Sequence, residues 1–302
     1  MSGVKTINLS RLQRLNSLLR KVLKKRLMVA IGPQTLRRFW HHLKYSYRMQ
    51  PQIKGNEHFR SMPIPLRYRT SVTGRSKVQF DEVVLGRRSI RGYKSDPVPK
   101  ALIEEVLALA MRSPSSMNTQ PWNFTVVSGE PLDLIRAGNT ERNLAGVPHS
   151  REFRIGQAFA GQHRDRQVGV AKQLFAAMDI AREDKEKRHD WVLRGFRQFD
   201  APVCVIITYD AVLSDSDDTA FDCGAVTTAL VNAAWSRGLG AVINSQGIMQ
   251  SPVVREHAKI ADDQVIMKAV ALGWPEESFA ANAVVSERKS VAEAARFLGF
   301  EE

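Results

Sequence analysis

Cysteine is scarce in this sequence, and its scarcity excludes two classes of protein. Only Cys204 and Cys223 occur, so no disulfide framework exists, and their apolar surroundings predict two buried thiols in a reducing compartment. Neither cysteine stands at a metal-ligand spacing from a histidine, which argues against a zinc enzyme. Long hydrophobic runs are also missing: the sequence has no stretch of about 18 or more apolar residues, which excludes a membrane-spanning helix.

Acidic residues are almost absent from the first 80 positions. Residues 1–80 hold 18 Lys and Arg but a single acid, Glu57, and so carry +17. Residues 81–302 hold 26 Lys and Arg and 30 acids, and so carry −4. The net charge of +13 therefore comes entirely from the start of the chain. We predict a basic N-terminal extension over 1–80 and a separate globular domain over 81–302.

Two amphipathic helices are predicted within the extension. Apolar residues recur at helical spacing over 10–27 and again after Gly32-Pro33, where Phe39 and Trp40 belong to the apolar stripe. Residues 50–80 contain several Pro and Gly residues and predict an extended connector. No secretory signal follows the first charges, so we expect a cytoplasmic protein.

The extension has three candidate roles. Nucleic-acid binding is disfavoured, because the aromatic residues lie on the apolar stripe and no nucleic-acid-binding motif is present. Residues 1–50 could instead pack on a partner subunit through their apolar face. They could also bind an anionic membrane surface, as a peripheral contact at the inner face of a membrane, with the cations against the lipid headgroups. The sequence leaves the last two roles open.

Helix and strand patterns alternate irregularly after residue 81. The run 203–209 (VCVIITY) is apolar throughout, which is typical of a strand buried on both faces. The alternation predicts one domain that mixes helices and strands. The periodicity predicts helices over 100–111, 166–199 (one or two) and 221–237, and strands over 123–128, 203–209, 241–243 and 265–272.

Three arginines and a serine follow a short apolar run near the start of this domain. Arg87, Arg88, Ser89 and Arg91 lie within five residues, and we call residues 86–91 the arginine loop. The guanidinium group donates a fork of hydrogen bonds that matches phosphate oxygens. The loop is therefore a candidate phosphate site, although such a sequence taken alone is more often a solvated basic turn.

A second polar stretch reads S-P-S-S-M-N-T-Q-P-W over 113–122 and lies between a predicted helix and a predicted strand. Ser115, Ser116, Asn118 and Gln120 offer both donors and acceptors, and we call residues 115–120 the polar segment. An amide side chain donates and accepts, which suits the edge of a flat heterocycle with alternating C=O and N–H groups.

The arginine loop followed by the polar segment resembles the FMN-dependent nitroreductase family. The likeness covers roughly residues 80–300, and the extension has no counterpart in the family pattern. It implies an α+β fold in which helices flank a central, mostly antiparallel sheet, within an intertwined homodimer. The later matching stretches are Asp200-Ala201-Pro202, Gly238-Leu239-Gly240, Gly273-Trp274-Pro275 and Glu287-Arg288-Lys289.

The resemblance also implies how FMN would be bound. The arginine loop would hold the phosphate, the ribityl chain and the pyrimidine edge, and Arg288 would add to the phosphate site. The polar segment would reach the flavin of the other subunit. The residues that this assigns to the cofactor are Arg87, Arg88, Ser89, Arg91, Ser115, Ser116, Asn118, Gln120 and Arg288.

One further loop is assigned by the resemblance. Ser245 and Gln246 match the place where a backbone N–H approaches flavin N5, but a well-known branch of the family has Glu-Gly there. The side chains around N5 therefore differ, and the acceptor range does not carry over. Residues 139–199 match short family members poorly and stand where a substrate lid is expected.

The activity implied is that of an NAD(P)H-dependent FMN oxidoreductase. Hydride from NADH or NADPH would pass to FMN, and the flavin would then reduce a flat small-molecule acceptor such as a nitroaromatic or a quinone. No side chain is assigned as a catalytic nucleophile or acid, and no metal is expected. Two alternatives stay open: reductive dehalogenation or enone reduction on the same scaffold, and a membrane-associated flavin-binding module.

Overall fold

The structure, a computed structural model, describes residues 78–153 and 158–300. The helices predicted within residues 1–50, most of the connector, and the partner or membrane role of that segment all lie outside these ranges. In the described part of the chain, no helix has both the length and the apolar character needed to cross a bilayer. The α-helices, numbered within it, are α1 (Phe80–Gly86), α2 (Lys100–Ala110), α3 (Gly129–Leu144), α4 (Gly161–Ala177), α5 (Lys185–Phe196), α6 (Asp217–Ser236), α7 (Ser251–Ala258) and α8 (Val291–Ala294).

A four-stranded antiparallel sheet forms the centre of the domain. Its spatial order is β1-β2-β4-β3, so β2 and β4 are the inner strands and β3 lies at one edge. The strands are β1 (Trp122–Ser128), β2 (Val203–Asp210), β3 (Gly240–Asn244) and β4 (Gln264–Gly273).

Strand β2 is buried on both faces, as its continuous apolar run predicts. Val203, Val205 and Ile207 point to one core, whereas Cys204 and Ile206 point to the other. Because side chains alternate along a strand, an apolar residue at every position supplies both cores at once. The sheet is therefore the middle layer of three.

Helices cover each face of the sheet. On the first face, α2 and α6 contribute Ile103, Val106, Val226 and Leu230 to one cluster. On the second face, α3 and α7 contribute Leu132, Ile135, Val254 and Ala258 to another. Both cysteines are buried, as expected. This α+β arrangement confirms the fold class predicted from the family resemblance.

The predicted elements correspond closely to the observed ones. The helices expected over 100–111 and 221–237 are α2 and α6, and each of the four predicted strands is present. The long charged stretch forms two helices, α4 and α5, with a turn between them in which Asp179 has a φ of 51°. A non-glycine residue with positive φ interrupts a helix, which is why the pattern is not continuous.

Four helices had no counterpart in the sequence-based prediction: the short α1 and α8, and the longer α3 and α7. Helix α3 buries only Leu132, Ile135 and the polar Asn139, so its apolar stripe is too thin to recognise. Helix α7 is eight residues long and has a proline in its first turn, which is compatible with a helix start. Both are stabilised by packing on the sheet more than by their own periodicity.

Candidate functional site

The arginine loop is anchored between α1 and the edge of the sheet. The Arg87 N–H donates to the Val83 carbonyl at 2.9 Å, which caps the end of α1. Two residues later Ser89 forms a bridge with Ala241 of β3, and the Ile90 N–H donates to the Ala241 carbonyl at 3.1 Å. Ile90 itself is 1% exposed. The loop therefore begins at a helix end and runs beside the start of β3.

Arg87 and Arg288 lie close enough for their charges to interact. Partial burial, and next the nearby Arg288 guanidinium, lower the pKa of Arg87. The only hydrogen bonds of Arg288 within the described residues go to Ser286 and to the Glu287 carbonyl, at 2.8–3.0 Å. Neither arginine forms an ion pair in that part of the chain. Two adjacent cations without a carboxylate form a site suited to an anion such as phosphate.

Arg88 is engaged within the protein. Its Nε–H donates to the Asn282 carbonyl at 2.6 Å, and its guanidinium carbon lies 5.4 Å from the centroid of the Trp235 ring. The stacking and the hydrogen bond together direct this side chain towards α6. Arg88 therefore has fewer donors left for a ligand than Arg87 has.

Arg91 is the more deeply buried of the loop arginines. Burial lowers its pKa, because the surroundings solvate the charge poorly. Its Nη1 donates to the Ser89 carbonyl at 3.3 Å, and its own carbonyl accepts from Arg194 of α5 at 3.1 Å. Helix α5 thus helps to fix the end of the loop.

Asn282 is a residue that sequence reasoning missed. It is 4% exposed, and its Oδ1 accepts from the Arg91 N–H at 2.7 Å and the Gly92 N–H at 3.1 Å. Its Nδ2 donates to the carbonyls of Gly92 and Glu276 at 2.8 and 2.9 Å. One buried amide therefore joins the arginine loop to the C-terminal stretch that carries Arg288. No local pattern around Asn282 signals this role.

The polar segment lies apart from the arginine loop in the hydrogen-bond network. Asn118 and Gln120 have positive φ values of 60° and 47°, and both are exposed. The Gln120 N–H donates to Ser115 Oγ at 3.0 Å, and the Ser116 N–H donates to the buried carboxylate of Asp222 at 3.0 Å. No hydrogen bond or ion pair among the described residues joins this segment to the arginine loop. The Gln120 side chain donates only to the Asn118 carbonyl of its own segment, at 3.4 Å, among the described residues.

The loop after β3 is held by a network of amides. Asn244 Nδ2 donates to the Gly195 carbonyl at 2.7 Å and to Gln198 Oε1 at 2.8 Å. The Gln246 N–H donates to Asn244 Oδ1 at 3.0 Å, and its side chain donates to the Val192 carbonyl at 3.3 Å. Gln246 is thus turned towards α5, which leaves Ser245 as the more available side chain of this predicted pair.

Glycines let α5 and the loop approach closely. A Cβ on Gly195 would lie 2.1 Å from Gln246 Oε1, and one on Gly247 would lie 1.9 Å from Gln198 Nε2. Such contacts are far below van der Waals distance, so a larger residue would displace the amide of Gln246 or Gln198 from its place in this network. The loop position is therefore fixed by packing with α5.

A lysine on the inner strand β4 was also missed by sequence reasoning. Lys268 is partly buried, and its Nζ donates to Ser245 Oγ at 2.7 Å. Burial, and next the charge of Arg151, lower the pKa of Lys268. A second pair of cations therefore lies beside the loop that follows β3.

Strand β3 connects these features. Its start pairs with the arginine loop through Ala241, and its end leads into Ser245. At about 3.4 Å per residue, Ala241 and Ser245 lie roughly 14 Å apart along the edge of the sheet. An extended ligand with an anionic end could lie along this edge. Within residues 78–153 and 158–300, no group of three or more His, Cys, Asp or Glu side chains could hold a metal ion.

Comparison with known proteins identifies the family. Residues 84–274 match the model of the nitroreductase family. A nitrobenzene nitroreductase from Ectopseudomonas oleovorans is 32% identical over 222 residues, which cover 72% of this chain and 96% of that protein. A chloronitrobenzene nitroreductase from Comamonas testosteroni is 30% identical with the same coverage.

A solved structure shows the same architecture. The FMN and NADPH-dependent nitroreductase NfnB from Sphigopyxis sp. strain HMH has a TM-score of 0.70 and 27% sequence identity to this chain. It covers 74% of this chain and 100% of its own length. The quarter of this chain that the NfnB structure does not cover is similar in length to the basic extension. The match to the family model over 84–274, together with these relatives, shows that the chain belongs to the nitroreductase family.

Proposed function

We propose that this protein is an FMN-dependent oxidoreductase that uses NADPH or NADH to reduce a nitroaromatic compound. The observation that carries the proposal is the pair Arg87 and Arg288, two neighbouring cations that form no ion pair within the described residues, with Arg87 in the loop that runs beside the start of β3. The related enzymes support the rest: one solved relative is named as FMN and NADPH-dependent, and two others are named for nitrobenzene and chloronitrobenzene.

The residues present fit the phosphate of FMN. A phosphate monoester carries about −1.5 to −2 at neutral pH and needs several donors. Arg87 and Arg288 would supply them, and Ser89, beside β3, would meet the ribityl chain. The buried guanidinium of Arg91 would face the pyrimidine edge, and Arg88 would act mainly by fixing the loop. The flavin ring would then extend along β3 towards Ser245.

FMN, when bound, supplies reversible hydride transfer at N5 between the nicotinamide and the acceptor. The chain's own residues bind and orient it, and those that hold the loop after β3 fix its backbone next to the ring. In each reductive turn, NAD(P)H and one proton convert a nitro group into a nitroso group and water. Because bound FMN would carry the electrons from one substrate to the other, no nucleophilic side chain is needed.

We also propose that the active form is a homodimer. The side chains of Asn118 and Gln120 are exposed, and no hydrogen bond among the described residues joins them to the arginine loop of the same chain. The polar segment of one subunit would complete the flavin site of the next. Large apolar side chains that stay exposed in the single chain also favour burial against a second copy: Phe80, Leu85, Met117, Phe221, Phe297, Leu298 and Phe300.

Purification and turnover test the proposed function. We expect the protein to bind FMN and to oxidise NADPH or NADH when a nitroaromatic is added, with formation of the nitroso or hydroxylamine product. Arg87→Ala combined with Arg288→Ala should remove the bound flavin and the activity together. Full FMN occupancy in that double variant would contradict the phosphate assignment. FMN binding without turnover of any nitroaromatic or quinone would contradict the reaction.

A further inference from the structure

Lys268 occupies an unusual place for a lysine. It lies on the inner strand β4, between Met267 and Ala269, which are 6% and 0% exposed. The neighbouring strand β2 places the fully buried Ile207 opposite it. Placing an ammonium group in partly apolar surroundings costs free energy unless an opposite charge or hydrogen bonds compensate it. An ammonium group at such a position is stabilised by an anion or by hydrogen-bond acceptors nearby.

The register of the sheet brings Lys268 to the loop after β3. Asn244, the last residue of β3, pairs with Ala269, so the next residue, Ser245, comes opposite Lys268. Their side chains are joined by the 2.7 Å hydrogen bond from Nζ to Oγ. Ser245 is also the residue that the sequence places beside the flavin ring. Lys268 therefore lies beside the part of the proposed site where the acceptor would be reduced.

Arg151 is held near Lys268 by its two chain neighbours. The Ser150 N–H donates to the Met249 carbonyl at 2.8 Å, just beyond the loop after β3. The Glu152 carboxylate accepts from Arg255 Nε at 2.7 Å and from Arg255 Nη2 at 2.8 Å. It also accepts from the Ile266 N–H of β4 at 2.7 Å. Glu152 is thus fully used by Arg255 and the backbone. The residue between these two anchors, Arg151, has its backbone fixed next to β4.

Arg151 and Lys268 have no acidic partner in the described part of the chain. No ion pair there includes either residue. Arg151 Nε is buried and has no hydrogen-bond acceptor among residues 78–153 and 158–300, and burial lowers the pKa of Arg151. A buried donor without an acceptor is destabilising, so a ligand oxygen that accepted from Arg151 would be favourable here.

From this placement we infer that Arg151, Lys268 and Ser245 form a subsite for the anionic substituent of the acceptor, with an aromatic carboxylate as the fitting class. Resting on the proposed function, the inference adds a specificity to it: anionic nitroaromatics are preferred over neutral ones of the same shape. The planar guanidinium would donate to both carboxylate oxygens, and the ammonium would add a point charge. The phosphate of FMN is accounted for separately, by Arg87 and Arg288 at the other end of β3.

Two acceptors of nearly equal shape test the subsite. The ratio of kcat/KM for 4-nitrobenzoate to that for 4-nitrobenzamide is measured for the wild type, Lys268→Met and Arg151→Gln. We expect the ratio to favour the carboxylate in the wild type and to fall about tenfold or more in each variant, since a charge-assisted contact is lost. Lys100→Met, which changes a lysine on the exposed side of α2, is the matched control and should keep the wild-type ratio.

Equilibrium binding gives a second readout that does not depend on turnover. Calorimetric titration with benzoate and with benzamide should show tighter binding of benzoate to the wild type, and this preference should disappear in Lys268→Met. An unchanged acceptor ratio together with an unchanged benzoate preference in both variants would overturn the subsite. A rise in the KM of NADPH or NADH alone would overturn it too, because the cations would then bind the phosphates of the donor.

Failure of the proposed function has a different signature. A wild type that reduces neither acceptor, yet binds benzoate in a manner that depends on Lys268, would contradict the reductase reaction and leave the anion subsite standing. A wild type that reduces both acceptors equally, with no effect of either variant, would support the reductase reaction and contradict the anion subsite. The two measurements therefore separate the general activity from the specificity.

Discussion

The arginine loop and the polar segment differ in how extensively hydrogen bonds link them to the rest of the chain. The arginine loop is fixed by backbone bonds to Ala241, by the Asn282 amide and by Arg194. The hydrogen bond from the Ser116 N–H to Asp222 links the start of the polar segment to α6, and the side chains at 117–120 are exposed. The arginine loop is thus held by several other parts of the chain, whereas the side chains of the polar segment face solvent. This contrast supports our proposal that each flavin site is divided between two subunits.

Complementation between two inactive variants tests most directly whether the flavin site is shared between two subunits. Arg87→Ala with Arg288→Ala should empty the first half-site, and Asn118→Ala with Gln120→Ala should damage the second. Mixing the two proteins should restore about a quarter of the wild-type activity, because half of the dimers are then mixed and each mixed dimer has one intact site. Activity and flavin content after refolding at equal concentrations measure this. Mixtures that stay inactive would place both halves of the site within one chain.

The arginines inside the first half-site should separate into two kinds. Arg87→Ala should weaken FMN binding by about 1.5–3 kcal/mol, since a charge-assisted phosphate contact is lost. Arg88→Ala should lower the melting temperature more than the FMN affinity, because its side chain is used by Trp235 and Asn282. Fluorescence titration of FMN into the apoprotein and thermal unfolding of the same apoprotein give the two numbers. A larger loss of FMN affinity in Arg88→Ala than in Arg87→Ala would instead assign the phosphate contact to Arg88.

The rigidity of the arginine loop can be tested at Asn282. Asn282→Asp keeps the shape but replaces two donors by acceptors that face the Gly92 and Glu276 carbonyls. We expect a loss of about 2 kcal/mol in stability, because buried polar groups are left unpaired. FMN affinity should fall with it, since the loop and the Arg288 stretch separate. Asn143→Asp, at a side chain with no hydrogen bond in the described residues, is the control and should leave both quantities nearly unchanged.

The smallest expected effect concerns pH at the end of β3. The pKa of Lys268 lies below that of an exposed lysine because of burial and the charge of Arg151. The preference for 4-nitrobenzoate over 4-nitrobenzamide should therefore decline as the pH rises through this lowered pKa, where the ammonium loses its proton. Lys268→Met should show a flat ratio over the same range, since Arg151 stays charged. A wild-type ratio that is also flat would mean that Lys268 does not contact the anion.

The family and the buried strand followed from the sequence alone. Three arginines within five residues, followed by the polar stretch over 113–122, are local features that depend only on residue order, and the family that they indicate is confirmed. The continuous apolar run over 203–209 likewise predicted a strand covered on both faces, as β2 is. Both predictions succeeded because neighbouring residues in the chain carry the whole signal, whereas the assignment of single residues to FMN stays a prediction.

Only the tertiary structure decided which of these residues are free to act. Arg87 lies near Arg288, and the guanidinium of Arg88 packs on the Trp235 ring. Lys268 donates to Ser245 because β3 and β4 pair in one particular register. A shift of one residue in that register would turn Lys268 to the other face of the sheet. Register and packing join positions far apart in the chain, so no local pattern around Asn282, Arg151 or Lys268 could have revealed their contacts.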